Sequence, residues 1–321
     1  MSSRAASPTA TTVSGVGLVI ALLAAFLLSS FPGASAASAG EGYTTTRAAS
    51  PARSIIKDSS GRVVATLTDG SRSVVLTGAS RTFAESTTSA VVTTTARVRL
   101  LDAPFAGRLD TAWLDAALAD RSPDLLAVAL AYVTGAPEVR SSDGVVVSDD
   151  ASYGPLVDGV RQEGSDWNDY LGVSATYDGK VDAPEAEQIG ALDCSGFVRM
   201  VFGARGGHAM SLLPDGVRLP RRAVQMATGG PGTVVVPDRG KQVTSFGALL
   251  AGDLVLFDAS TDDGTAVDHV GIYLGKDSAG QPRFVSSRKS VDGPTMGDVQ
   301  GRSTLSGTGL YAKSFRAVRR V

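Results

Sequence analysis

The residues best suited to nucleophilic chemistry are one cysteine and two histidines. Cys194 stands in the segment DCSGFV, His269 stands in DHVGIYLG, and His208 ends the loop-like segment RGGH. A thiol activated by an imidazole is a nucleophile for acyl transfer. The alternative is an inert buried thiol, because free cysteine packs like a small hydrophobic residue. We interpret His208 as a surface residue, since it follows Cys194 too closely to fold back onto it.

The segment after Cys194 has the apolar period of a helix. Apolar residues recur at positions i, i+3, i+4, i+7 and i+8, namely Cys194, Phe197, Val198, Val201 and Phe202. Asp193 is a good N-cap for that helix. The pattern therefore predicts that Cys194 lies in the first helical turn, where backbone N–H groups favour a thiolate and can stabilise an oxyanion.

Residues 251–257 and 268–275 are predicted to be strands. Alternation places Val270, Ile272 and Leu274 on one face of the second strand, and His269, Gly271 and Tyr273 on the other. Because Gly271 leaves room for close approach, we expect the cysteine helix to pack on the histidine face. Asp268 points the opposite way, and we interpret it as a solvated charge at the strand end.

The N-terminus predicts export. Residues 1–36 combine a weakly basic lead, an apolar run and an Ala-Ser-Ala cleavage site, as a signal peptide does. An uncleaved N-terminal anchor is the alternative. No cysteine stands directly after the apolar run, which argues against a lipid-modified cysteine at that position. We expect a secreted or cell-wall-associated protein without stable membrane association after cleavage, in which an unpaired cysteine is unusual.

The composition and the remaining patterns suggest the domain organisation. The net charge of −2 argues against a nucleic-acid partner. One cysteine and two histidines are too few for the usual soft-ligand metal site, and we expect no metal or organic cofactor. Helices are predicted over 109–118 and 124–133, with another possible over 154–162. The predicted domain boundaries are a flexible lead at 37–52, a small β unit at 53–100, a helical connector at 101–150 and the site domain at 151–321.

Four segments in this order resemble the NlpC family of cell-wall peptidases, a papain-like branch of cysteine hydrolases. They are DCSGFV, LPRRAVQM, AGDLVLF and DHVGIYLG, and the resemblance covers about residues 165–321. It implies an α+β fold in which a helix carrying the cysteine packs on an antiparallel sheet carrying the histidine. It also implies hydrolysis of peptide bonds in peptidoglycan stem peptides, with Cys194 as nucleophile and His269 as general base.

The third catalytic residue departs from the family pattern. The resemblance implies a polar residue, commonly histidine, on the strand after DHVGIYLG, and Ser286 falls at that position. A hydroxyl can accept a hydrogen bond from the ring N–H, but it stabilises an imidazolium less than a carboxylate does. Three alternatives stay open: Ser286 orients His269 weakly, Asp292 reaches in from the following loop, or the enzyme works as a dyad.

The resemblance also implies substrate-binding residues. Family members tend to place a tyrosine near the substrate, upstream of the cysteine, and Tyr170 and Tyr177 are the two that we select. Trp167 and Tyr170 could equally be packing residues. Asp193 and Ser195 flank the nucleophile and are assigned to substrate binding on the same resemblance.

Two other functions use the same residues. A protein with a weak third catalytic residue could bind peptidoglycan without cleaving it, and an acyl-enzyme could transfer its acyl group to an amine or a lipid. The small β unit could dock a regulatory partner, bind the wall, or cover the active site before maturation. The sequence does not choose among these three roles.

Overall fold

The structure, a computed structural model, describes residues 42–262 and 264–321. It begins with an antiparallel sheet of five strands that follow one another in chain order. These are β1 (Thr44–Ala48), β2 (Arg53–Lys57), β3 (Val63–Thr68), β4 (Ser73–Phe83) and β5 (Val92–Leu100). One face of this sheet packs with Phe105 and Leu114 in a small apolar core. The predicted signal peptide lies outside the described residues.

The prediction of a flexible lead over residues 37–52 is wrong for residues 44–48. This stretch is strand β1, paired with β2 throughout its length. Three consecutive threonines favour a strand because their β-branched side chains suit a pleated surface. Arg47 also donates hydrogen bonds to Ser54 at 2.8 Å and to Asp69 at 2.9 Å. Composition alone could not predict the pairing of β1 with β2, since small polar residues are also common in flexible linkers.

Short elements connect the sheet to the rest of the chain. Helix α1 (Thr111–Ala119) is capped by Asp110, and α2 (Leu125–Ala129) continues into a 3-10 turn at Leu130–Tyr132. Two hairpins follow, and their strands are β6 (Val139–Arg140), β7 (Val146–Ser148), β8 (Leu156–Val157) and β9 (Val160–Arg161). The helix expected over 154–162 is therefore wrong. Asp158 and Gly159 both have positive φ, and this conformation makes a tight turn instead.

The next elements surround the cysteine. They are α3 (Trp167–Leu171), β10 (Ala175–Tyr177), β11 (Lys180–Asp182), a 3-10 turn at Ala186–Gln188, α4 (Cys194–Val198), a π-helix at Arg199–Ala204 and α5 (Ala223–Gly229). The helix predicted from Cys194 to Phe202 is confirmed, although its second half widens into π geometry. Its first turn positions the thiol.

A second antiparallel sheet of six strands completes the fold, in the order β12-β17-β13-β14-β15-β16. The strands are β12 (Thr233–Val236), β13 (Leu254–Phe257), β14 (His269–Lys276), β15 (Pro282–Arg288), β16 (Gly293–Thr295) and β17 (Phe315–Arg320). A 3-10 turn at Lys289–Val291 follows β15, and helix α6 (Leu310–Ser314) precedes β17. The fold is a mixed α/β arrangement with antiparallel sheets and few helices, as expected for a papain-like NlpC domain.

Helix α4 packs on the face of β14 opposite to the one that we predicted. Val270, Ile272 and Leu274 share a core with Cys194 and Phe197. On the histidine face, a Cβ at Gly271 would lie 2.7 Å from Phe284 Cδ2 and 3.1 Å from Ser286 Cβ. The glycine therefore makes room for strand β15 rather than for the helix. Both faces of β14 are buried, so alternation could not tell which one receives the helix.

The five-stranded sheet shares a hydrophobic core with the rest of the described chain. Phe83, Val92 and Val98 belong to the same core as α4 and β14. The carboxylate of Asp124 accepts hydrogen bonds from Arg81 and from the Val98 amide. Among the described residues, no helix is long and apolar enough to cross a membrane.

Candidate active site

Cys194 is the first residue of α4 and lies in a cleft of about 590 Å³. Asp193 caps the helix, because its Oδ1 accepts a hydrogen bond from the Gly196 amide at 2.7 Å. The residues that line the cleft are Tyr153, Glu163, Gly164, Asp193, Cys194, Ser195, Arg221, Arg222, Ala223, Val224, Ser260, Asp262, Ala266, Val267, Asp268 and Lys289. Cys194 as a whole is 8% exposed, so it is almost fully buried beside the cleft.

The thiol contacts the backbone on both sides of His269. Its Sγ lies 3.9 Å from the carbonyl oxygen of Asp268, and the Val270 amide also hydrogen-bonds to it. Burial, followed by the charge of Asp193, raises the pKa of Cys194 well above its ordinary value, while the Val270 amide acts in the opposite direction. The thiolate expected from the helix start is therefore not the resting form, because burial outweighs the helix N-terminus.

A buried ion pair fixes the start of the nucleophile helix. Arg221 donates to Asp193 Oδ2 at 2.7 Å and to Oδ1 at 3.1 Å, and it also donates to the Ser195 hydroxyl at 2.8 Å. Burial acts to raise the pKa of Asp193, but Arg221 and the Gly196 and Gly164 amides outweigh it and lower that pKa. Asp193 and Ser195 line the cleft, but their polar atoms already bind one another and Arg221, and their role in substrate binding stays a prediction.

The imidazole of His269 is buried and held by a hydroxyl. Its Nε2 lies 3.0 Å from Ser286 Oγ, and its ring packs against Phe257 and Tyr311 with centroids 5.8 and 5.3 Å apart. Burial, followed by the charge of Arg288, lowers the pKa of His269 to about 3. The imidazole is therefore neutral at physiological pH. With Nε2 engaged by Ser286, Nδ1 is the nitrogen left to exchange a proton.

Of the residues considered for the third position, only Ser286 contacts His269. Asp292 instead receives hydrogen bonds from the Tyr153 amide at 3.0 Å and from Arg161. Ser286 has a second partner that sequence reasoning missed, since Arg288 Nε donates to Ser286 Oγ at 3.1 Å. An arginine two residues along the same strand was visible in the sequence, but nothing there indicated that it turns inward.

The structure does not bring Tyr170 or Tyr177 to the cleft. Tyr170 is 2% exposed and donates to Asp149 at 2.5 Å, and Tyr177 bonds to Trp167 and to Arg199 inside the domain. Both are packing residues, the alternative already considered for Tyr170.

The tyrosine that lines the cleft is Tyr153, which sequence reasoning missed. It too lies upstream of the cysteine, directly before the stretch 154–162 that was expected to be helical. His208 is another correction, because it is 3% exposed and therefore buried rather than on the surface. Its Nδ1 lies 3.0 Å from the Ala209 carbonyl oxygen, which satisfies the ring locally.

Comparison with known proteins identifies the domain. Residues 176–293 match the NlpC/P60 family, and this range contains both Cys194 and His269. The chain carries an NlpC/P60 domain. Proteins of this family are generally cysteine peptidases or related hydrolases. No curated protein matches the chain.

A solved structure from Staphylococcus aureus is also similar to this chain. It is described as similar to a lipoprotein of the NLP/P60 family. The two are 23% identical, with a TM-score of 0.26, over 48% of this chain and 38% of that one. The chain thus spans well under half the length of that relative. Among residues 42–262 and 264–321, no group of three or more His, Cys, Asp or Glu residues is placed to hold a metal ion.

Proposed function

We propose that this protein is an exported cysteine peptidase that hydrolyses peptide bonds in peptidoglycan stem peptides. The observation that carries the proposal is the placement of Cys194, which opens onto a cleft and contacts the backbone on both sides of His269. Ser286 then holds the far nitrogen of the imidazole. A thiol, a base and a group that orients the base are the parts that acyl transfer requires.

The first half of the reaction forms an acyl-enzyme. His269 Nδ1 takes the proton from Cys194 Sγ as the sulfur attacks the scissile carbonyl carbon. Backbone N–H groups at the start of α4 stabilise the oxyanion of the tetrahedral intermediate. The imidazolium then gives its proton to the leaving amine, and the C–N bond breaks. Because both groups are neutral at rest, this proton transfer accompanies the attack rather than preceding it.

The second half releases the product. Water enters the cleft and loses a proton to His269 as its oxygen attacks the thioester carbon. The imidazolium returns that proton to the sulfur when the C–S bond breaks, which restores the thiol and frees a carboxylic acid. Every proton is returned within the cycle, so no cofactor takes part.

The charges of the cleft suit a peptide with both amine and carboxylate groups. Asp262 brings a carboxylate to its lining and Arg222 brings a cation, while Glu163 and Lys289 form an ion pair at its edge at 2.8 Å. Stem peptides of bacterial walls carry both kinds of group, whereas a nucleic acid would favour a uniformly basic surface. The apolar N-terminal run adds support for an extracytoplasmic site of action, because it has the pattern of an export signal.

The remaining predictions are retained as proposals. We keep the connector and the site domain at 101–150 and 151–321, and the β unit predicted at 53–100 is extended to include β1 (Thr44–Ala48). We also keep the outer surface of the β unit as the place where a regulatory partner would dock. None of its residues is among those that line the cleft, which argues against a role as a cover.

Digestion of purified peptidoglycan and of soluble stem peptides, read by mass spectrometry, tests the proposal. The mature protein should cleave one stem-peptide bond, and Cys194→Ala and His269→Gln should abolish the cleavage. His208→Gln is the matched control, since it replaces the other histidine, outside the cleft lining, and should leave the cleavage in place.

Two other outcomes would identify the alternative functions. Intact substrate that still sediments with the protein would indicate a peptidoglycan binder. Product that carries an added amine as a new amide would indicate an acyltransferase. Cleavage that persists in Cys194→Ala would refute the proposed nucleophile.

A further inference from the structure

Arg288 is a buried arginine whose contacts are neutral. It is 1% exposed and lies on β15, two residues after Ser286. Its Nη1 donates to the Gly301 carbonyl oxygen at 2.8 Å, its Nη2 donates to Ser303 Oγ at 2.6 Å, and its Nε donates to Ser286 Oγ at 3.1 Å. Its guanidinium also lies over the Tyr311 ring, 4.2 Å from the centroid.

Three other buried arginines of this chain are paired with carboxylates, whereas Arg319 donates to the carbonyl oxygens of Gly230 and Ala227. The N–O distances are 2.9 Å for Arg199–Asp166, 2.7 Å for Arg320–Asp253 and 2.8 Å for Arg283–Asp277. A buried charge without a counter-ion is costly, because desolvation is repaid only by hydrogen bonds and aromatic contact. Among the described residues, Arg288 has no carboxylate within salt-bridge distance. Its charge therefore needs an explanation other than pairing.

The position of Arg288 suggests that explanation. Ser286 Oγ lies between Arg288 Nε, at 3.1 Å, and His269 Nε2, at 3.0 Å. Because Nδ1 must keep its lone pair to act as the base, Nε2 carries the hydrogen of the neutral imidazole and donates it to Ser286 Oγ, which accepts from Arg288 Nε with its second lone pair. Protonation of Nδ1 would turn the imidazole into a second cation that shares this one hydroxyl with the Arg288 guanidinium. Arg288 thus opposes an imidazolium by its charge.

We propose that Arg288 is a positioning residue that, through Ser286, holds His269 as a neutral imidazole, so that catalysis starts from a thiol–imidazole pair and not from a preformed thiolate–imidazolium pair. The inference rests on the proposed function and adds the protonation state from which that site works. Many thiol hydrolases rely on a lowered thiol pKa, which a neighbouring cationic imidazole provides. Here the buried Arg288 guanidinium disfavours the cationic imidazole that would lower the thiol pKa.

The other charged and titratable groups near His269 do not reverse this effect. Those facing it from the surrounding elements are Asp193, Cys194, Asp268 and Tyr311. Asp193 favours the imidazolium, but its charge is balanced by Arg221. Around Arg288, Glu85 and Asp298 exert a weaker opposing influence than burial does, and Arg283 adds to the positive field.

The pH dependence of Cys194 alkylation by iodoacetamide tests the proposal without requiring hydrolysis. The chain has a single cysteine, so the rate reports on this thiol alone. In the wild-type protein the rate should fall about tenfold for each pH unit below neutrality, with no plateau at acid pH. Arg288→Gln should raise the rate at pH 6 by roughly tenfold or more and produce such a plateau. Arg288→Lys, which keeps the cation, should follow the wild-type profile.

Two results would overturn the inference: a wild-type acid plateau, or an Arg288→Gln profile that superimposes on the wild type. Circular dichroism must first show that the variant is folded. If it is not, the wild-type protein still decides, because ¹³C-labelled histidine reports the protonation of each ring. With His208→Gln used for assignment, the His269 resonance should stay constant from about pH 8 to 5. A shift within that range contradicts the proposal, whether or not the protein cleaves peptidoglycan.

Discussion

The two sides of the catalytic pair are built with opposite charge balance. On the nucleophile side, each buried guanidinium meets a carboxylate, as Arg221 does with Asp193 and Arg199 with Asp166. On the base side, Arg288 contacts hydroxyls, a carbonyl and an aromatic face. Balanced pairs fix geometry without adding net charge. The base side, with its unpaired guanidinium, therefore controls the protonation of His269. The nucleophile side, with its ion pairs, controls the position of Cys194.

The strongest test of the balanced side is Arg221→Met. It leaves the Asp193 carboxylate buried with only hydroxyl and amide partners, and breaking a buried pair in this way costs about 3–5 kcal/mol. We expect the free energy of unfolding, measured with urea, to fall by about that amount. Reactivity at Cys194 should fall as well, because the helix start loses its anchor.

Arg218→Met is the matched control for that prediction. Arg218 also binds two carboxylates, Asp178 at 2.7 Å and Asp215, but on the protein surface. Exposed pairs contribute little to stability, so the loss should be far smaller than in Arg221→Met. Equal losses in the two variants would show that burial does not distinguish the pairs, and the comparison between the two sides of the site would lose its basis.

The buried His269 on the base side should make the stability of the protein depend on pH in the acid range. A histidine whose folded pKa of about 3 lies below its ordinary 6.5 binds its proton in the unfolded chain first. Its contribution to stability is complete above about pH 6.5 and is lost as the pH falls towards 3. We expect the urea midpoint of His269→Gln to change less over this range than that of the wild type. Parallel curves would mean that His269 is not held neutral.

Gly271→Ala tests the contact between the two strands of the base side. The new Cβ would lie 2.7 Å from Phe284 Cδ2 and 2.8 Å from the Val285 carbonyl oxygen. Overpacking of this kind costs about 1–3 kcal/mol, and it should also push Ser286 away from His269. The melting temperature and the cleavage rate should both fall. Gly247→Ala is the control, since nothing lies within 4 Å of a Cβ there, and it should change neither.

The smallest expected effects are those of Tyr153→Phe and Tyr170→Phe, which should change different quantities. Tyr153→Phe removes a hydroxyl in the cleft and should raise the KM for stem peptide by roughly threefold to tenfold, as the loss of about one hydrogen bond would. Tyr170→Phe removes a buried hydroxyl bonded to Asp149 and should lower stability by about 1 kcal/mol with KM unchanged. The reverse pattern, read by steady-state kinetics and thermal melts, would restore Tyr170 as the substrate residue.

The parts of the site that could be predicted follow local periodicity. The helix at Cys194, its Asp193 cap and the strand from His269 all leave clear patterns, because capping and alternation act over a few residues. Ser286 could also be placed opposite the imidazole, since it follows from the position of one strand beside the next.

The parts that could not be predicted depend on long-range packing. The face of β14 that receives α4 is undetermined by the sequence, because both faces are apolar enough to be buried. Tyr153 lies just before the β8–β9 hairpin, and its amide donates to Asp292 across 139 residues of sequence, a separation that no local pattern spans. The unpaired state of Arg288 is equally invisible, because a sequence does not say which arginines find a carboxylate.

The core shared between the five-stranded sheet and the catalytic sheet sets the smallest piece of this protein worth expressing. Phe83, Val92 and Val98 fill the same interior as α4, and the Arg320 guanidinium donates to Thr68 Oγ1 at 2.6 Å. A truncation at residue 150, the predicted boundary of the site domain, would expose the apolar surface that the first sheet covers. Proteolytic removal of residues 42–100 would expose the same surface, so the sheet is part of the folded core and not a detachable propeptide.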